Sequence, residues 1–161
     1  KASGVLFKSG LMQALELLGL TDGSIYGETY HKLFGWNPRG IVLHSPEYLP
    51  VREVLATAKA SGGAVVFAHP TVYKSMPLVR ELAAEGAIDG IEVDHPSNSP
   101  EDRAECVQLC REYGLVPTAG TDFHGRNHKV PHPIGTCTAP DETVTRLQEI
   151  ARKRGGGNGT R

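Results

Sequence analysis

The chain has 161 residues, 39% hydrophobic and 22% charged, with a formal net charge of −1. That length supports one domain with its own core, and so even a charge leaves no broad basic footprint for nucleic acid, although a local patch is not excluded. No apolar run approaches the ~18 residues of a membrane span and no signal-peptide pattern is present, so neither insertion nor secretion is expected. Cysteines 106, 110 and 137 make an odd set without a Cys-x-x-Cys pair. Cys106 and Cys110, four apart on one helical face, read as small core hydrophobes, and a reducing cytoplasm fits.

Residues 5–19 carry Leu11, Ala14, Leu15 and Leu18 at helical spacing, with Gly19 as a stop. A second short helix is expected over 24–34, closed by Gly35, and Gly40–Leu43 reads as a short strand or an extended link. From Pro50 the pattern is regular. Val51, Val54, Leu55 and Ala58 predict a helix ended by Gly62-Gly63, and Ala64–Phe67 is a continuous apolar run suited to a strand buried on both faces. Ser75 can cap a helix running to Glu85, and Gly90–Val93 is the next strand. Ser99-Pro100 with Glu101 and Asp102 opens a helix, with Cys106, Leu109, Cys110 and Tyr113 as its inward stripe and Gly114 as its end. Leu115–Ala119 is a third strand and Ile134–Thr138 a fourth. Asp141 caps a last helix that turns Val144, Leu147, Ile150 and Ala151 inward, and a Gly-rich tail follows. The organisation predicted is a helical segment over 1–48, βα units over 49–154 and a flexible tail over 155–161.

Helix and strand alternate from residue 50, which means parallel βα units. Right-handed crossovers then bring every strand C-terminus to one side. His69, Asp94, His95, Asp122 and His124 all fall at or just past those ends, where ligands and catalytic groups gather in parallel sheets and barrels. Asp122 and His124, two residues apart on extended backbone, share a face with roughly 6–7 Å between them, which suits neighbouring metal ions better than a single ion. Imidazole and carboxylate together suit Zn, Mn or Fe. The plain structural alternative is a loop histidine and a helix-capping aspartate.

The segments Gly62–Pro70, Gly90–Val93 and Ala119–Gly125, containing Ala68-His69-Pro70 and Thr121-Asp122-Phe123-His124-Gly125, resemble the last third of a PHP (polymerase and histidinol phosphatase) domain, particularly the small stand-alone phosphoesterases. The likeness covers residues 5–140, with the helical stretch at 5–35 resembling an insertion. It implies part of a distorted seven-stranded TIM-like α/β barrel with up to three divalent ions at the strand ends. His69, Asp122 and His124 would be metal ligands serving different ions. The activity implied is hydrolysis of phosphomonoesters of nucleotides or small molecules. The family's other ligands begin with a His-x-His motif in the N-terminal half. No His-x-His occurs here, and the chain starts at Lys1 rather than Met, so the sequence reads as the C-terminal piece of an enzyme. Such a piece should bind metal weakly by itself, since zinc sites keep at least three protein ligands.

His95 follows its strand closely enough to face the site and a substrate phosphate, as a catalytic group. Arg126 and His128, with Lys129 and His132 on the same loop, are candidates for holding that phosphate; Arg39 and His44 are weaker ones. Glu92 lies inside a strand and needs a partner. The competing reading is a catalytically incomplete PHP-like binding or regulatory domain. Half a barrel would expose sheet edges, which predicts self-association or pairing with the missing N-terminal half.

Overall fold

The computed structural model describes residues 7–21, 25–123 and 132–155. Two compact units divide the chain, one comprising Lys1–Tyr48 with 124–131, the other Leu49–Phe123 with the chain from His132 onward. The first unit contains α1 (Lys8–Leu17) and α2 (Glu28–Phe34). α1 buries Met12. Phe34, buried at the end of α2, stacks obliquely on Tyr30 at 5.4 Å and lies under the Lys8 ammonium at 5.6 Å, a cation–π contact. Residues 40–43, an extended link or strand on sequence, instead turn back over α2: Ile41 N–H donates to Lys32 O and Val42 N–H to Leu33 O.

The second unit contains α3 (Val51–Ala60), β1 (Val66–Phe67), α4 (Met76–Ala84), β2 (Gly90–Asp94), α5 (Pro100–Tyr113), β3 (Val116–Ala119) and α6 (Glu142–Gly155). The strands form one parallel sheet in the order β1-β2-β3, with Val66 opposite Gly90 and Gly90 opposite Val116. All three therefore end on the same side. Between Glu92 and Asp94 the register slips: Glu92 faces Thr118 and Asp94 faces Ala119, so Val93 is an extra residue. Such a bulge bends a strand and re-aims its side chains.

The core lies between the sheet and its helices. Val79 and Leu82 of α4, Ile91 of β2 and Cys106 of α5 are fully buried, with Val65, Ile88, Val93, Leu109, Cys110 and Leu115 around them. Each large apolar side chain contributes about 1.5–3 kcal/mol by leaving water. α5 starts as its sequence predicts. Ser99 Oγ accepts the Asp102 N–H at 3.1 Å, and Asp102 Oδ2 accepts the Ser99 N–H at 3.2 Å, a reciprocal capping box with Pro100 in the first turn. Gly114 ends it at φ 67°, a left-handed conformation that glycine adopts without a Cβ penalty.

Several expectations do not hold. Ile134–Thr138 is turn and bend rather than a strand, and Ile134 is 78% exposed. Its β-branched residues have the local preference, but no described strand pairs with them. β1 is short and half-buried rather than buried on both faces, and only β2 pairs with it among the described residues. Ser75 makes no side-chain cap on α4. Tyr113 and Val144, placed inward by helical spacing, are 39% and 59% exposed, and α6 buries only Thr143, whose Oγ1 donates to Pro117 O at 3.0 Å. Among the described residues no helix is long and apolar enough to cross a membrane.

Candidate active site

Two backbone outliers mark the ends of the outer strands. His69, two residues past β1, has φ 31°, and Asp122, three residues past β3, has φ 51°. Lys74 is the other described non-glycine residue at positive φ. A left-handed backbone costs a non-glycine residue of order 1–3 kcal/mol, and such strain concentrates at functional sites. Here it falls on two residues singled out from sequence as metal ligands.

His95 lies directly after the central strand, 2% exposed. Its ring centroid is 5.8 Å from that of His69, which in turn meets Tyr73 edge-on at 5.9 Å. Burial lowers the His95 pKa below its ordinary value. The Glu92 and Asp122 carboxylates pull it up, and the His69 and His132 imidazoles push it down. His69, Glu92, His95, Asp122 and His132 therefore share one electrostatic neighbourhood at the C-terminal edge of the sheet.

The hydrogen bonds of His95 decide its tautomer. The Ser97 N–H donates to Nδ1 at 3.1 Å, so in the neutral ring the proton resides on Nε2. That Nε2–H is buried without a hydrogen-bond partner among the described residues. It suits an anionic oxygen, whereas a metal would require a bare nitrogen. His69 differs: among the described residues its buried Nδ1 also has no hydrogen-bond partner, and none of them fixes a proton there. A buried polar atom left unpaired is costly, and an imidazole nitrogen of this kind fits a divalent ion. Among the described residues no three His, Cys, Asp or Glu side chains gather closely enough to hold a metal, so His69 and Asp122 do not complete a centre among those residues.

A polar frame not foreseen from sequence holds the loop after β2. Arg103 of α5 donates from Nη2 to His95 O at 3.0 Å and from Nε to Asn98 O at 3.2 Å. Its Nη1 lies 2.7 Å from Asp94 Oδ1, a contact without hydrogen-bond alignment, since Oδ1 has no hydrogen-bond partner. Asp94 is thus engaged as an ion-pair partner. Buried Asn98 donates to the bulge carbonyls of Glu92 at 3.0 Å and Val93 at 2.9 Å, while its Oδ1 accepts from Thr71 Oγ1 at 2.7 Å. The only sequence signal for this frame was polar residues between a strand end and a capping box.

His124, Arg126, His128 and Lys129 lie outside the described residues. His44 is exposed and Arg39 is spent on Leu43 O at 3.3 and 3.2 Å; both belong to the first unit.

A parallel βα sheet with polar side chains gathered at its strand ends defines the class: an α/β domain with its candidate site at the C-terminal edge of the sheet. Curated relatives make this more particular. The chain is 35% identical over 132 residues, 82% of its length and 49% of the relative's, to phosphoribosyl 1,2-cyclic phosphate 1,2-diphosphodiesterase of Eggerthella lenta. It is 31% identical over 83 residues, 49% of its length and 28% of the relative's, to the 5'-3' exoribonuclease Rnm of Escherichia coli. A solved structure from Bifidobacterium adolescentis, described as a metal-dependent phosphoesterase, superposes with a TM-score of 0.71 at 24% identity, over 92% of this chain and 53% of that one. The chain thus spans about half the length of the first of these relatives and of the solved structure. No family model matches it.

Proposed function

We propose that this chain is the C-terminal part of a metal-dependent phosphoesterase with a seven-stranded TIM-like PHP barrel, acting on phosphoesters of nucleotides or small ribosyl phosphates. The observation that carries this reading is the pair of left-handed strand ends, His69 and Asp122, in one electrostatic neighbourhood with a buried histidine whose Nε2 lacks a hydrogen-bond partner among the described residues. The names of the relatives support a phosphorylated ribosyl or nucleotide substrate.

His69, Asp122 and His124 would hold divalent ions, up to three of Mn²⁺, Zn²⁺ or Fe²⁺ with the ligands of the other barrel half. Ions so bound would activate water and neutralise phosphoryl oxygens. Nδ1 of His69 has no hydrogen-bond partner among the described residues, and Asp122 stands on a left-handed backbone just past β3. His95 would donate its Nε2–H to a phosphoryl oxygen, strongest as negative charge builds there, from a water-poor position. Arg126 and His128 would hold the remaining phosphate oxygens. Both outer strands are edges among the described residues, and the other strands of the barrel, or a second copy, would cover them.

The test is phosphate release by the full-length protein with Mn²⁺, from nucleoside monophosphates and from cyclic ribosyl phosphodiesters. Asp122→Ala and His69→Ala should each lower kcat/KM by about 100-fold or more, at the upper end of the loss seen when even an outer partner of a metal ligand is removed. Undiminished activity in Asp122→Ala would overturn the ligand assignment. A full-length protein inert toward every phosphoester would favour a binding or regulatory domain.

A further inference from the structure

Glu92 sits on the central strand, yet its carboxylate reaches both neighbours. Oε2 accepts the backbone N–H of His69 at 2.6 Å. Oε1 fills the space beside Gly120, where any Cβ would collide with it. Gly120 is not at positive φ; a side chain there would meet the Glu92 carboxylate, which would have to leave its place. Its own N–H donates to Asp94 O at 3.0 Å, and it precedes Thr121 and the strained Asp122 by one and two residues.

We propose that Glu92 is a positioning residue for the site: one carboxylate sets both strand ends that carry His69 and Asp122. A charged acceptor on the His69 amide holds that residue in the left-handed region, against the preference of an L-residue for other backbone wells. The same carboxylate, packed on Gly120, sets the path of β3 into Asp122. The bulge at Val93 lies immediately after Glu92, where it can adjust the reach of that side chain. The meaning of this clamp rests on His69 and Asp122 being ligands, but its existence does not.

The experiment is amide NMR of the full-length protein without metal, followed by Mn²⁺ titration calorimetry of the same protein. In the wild type the His69 amide should resonate downfield and exchange slowly. Glu92→Ala should abolish both properties, and Glu92→Gln, which keeps an acceptor, should restore them in part. Gly120→Ala should displace the carboxylate and reproduce the Glu92→Ala spectrum at His69, lowering Tm in the wild type but not in the Glu92→Ala background, because the clash partner is then gone. Mn²⁺ affinity should fall about tenfold or more in Glu92→Ala and recover partly in Glu92→Gln. An unchanged His69 amide in Glu92→Ala, or additive Tm losses in the double variant, would overturn the clamp. A moved amide with unchanged Mn²⁺ affinity would overturn the positioning role. Failure of the wild type to bind Mn²⁺ would overturn His69 as a ligand and, with it, the positioning role, while the amide would still report on the clamp.

Discussion

Removing Asp89 should loosen the sheet at the end opposite the site. Its carboxylate accepts from the Val65 N–H at 2.7 Å and from Arg154 Nη1 and Nη2 at 2.5 and 2.6 Å. The two side chains are 11% and 25% exposed, and Arg154 also donates to Gly63 O at 2.8 Å. The clamp joins the start of β1, the start of β2 and the end of α6. Asp89→Ala orphans the Val65 amide, which costs about 1–3 kcal/mol, and strips Arg154 of its counter-ion. Breaking a fully buried pair costs about 3–5 kcal/mol; a guanidinium one-quarter exposed regains part of its hydration, so about 3 kcal/mol is expected in all. For a chain of this size that lowers Tm by roughly 10 °C, measured by urea and thermal unfolding. The pH dependence supplies a second test. Burial pushes the Asp89 carboxyl up, but Arg154, the Val65 N–H and Lys59 outweigh it and hold it below 3.8. A carboxyl depressed in the folded state contributes stability fully above 3.8, and that contribution is lost as pH falls through its folded value. Asp89→Asn should flatten this part of the acid limb. A loss under about 0.5 kcal/mol in Asp89→Ala, within the ordinary range of surface substitutions, or an acid limb unchanged in Asp89→Asn, would refute the reasoning.

Two further outcomes are expected besides those attached to His69, Asp122 and Glu92. Asn98→Ala strips both bulge carbonyls and Thr71 of a buried partner and should cost about 2 kcal/mol in urea unfolding; a variant as stable as wild type would show that water replaces the amide. Burial raises the Cys106 and Cys110 thiols to about 11, so at pH 8 a thiol reagent should modify them only as fast as the protein opens. Rapid labelling of either in the native protein would contradict the packing.

The order of helices and parallel strands from residue 50 was legible in the chain itself, because apolar spacing, glycine stops and the Ser99-Pro100 cap are local properties. So was the placing of His69, His95 and Asp122 at strand ends, since parallel βα units put all such ends on one side. Burial was less legible. Tyr113 and Val144 satisfy helical spacing, but a stripe is buried only where another element covers it. Ile134–Thr138 has strand-forming residues and no described strand beside it. The finer chemistry of the site needed the tertiary structure. Glu92 finds its partner in a backbone N–H on the neighbouring segment, and the His95 proton is assigned by an amide that folds back from Ser97. Residue types announce which groups can do chemistry; the strained backbone at His69 and Asp122, and the carboxylate wedged between their strands, exist only once three strands lie side by side.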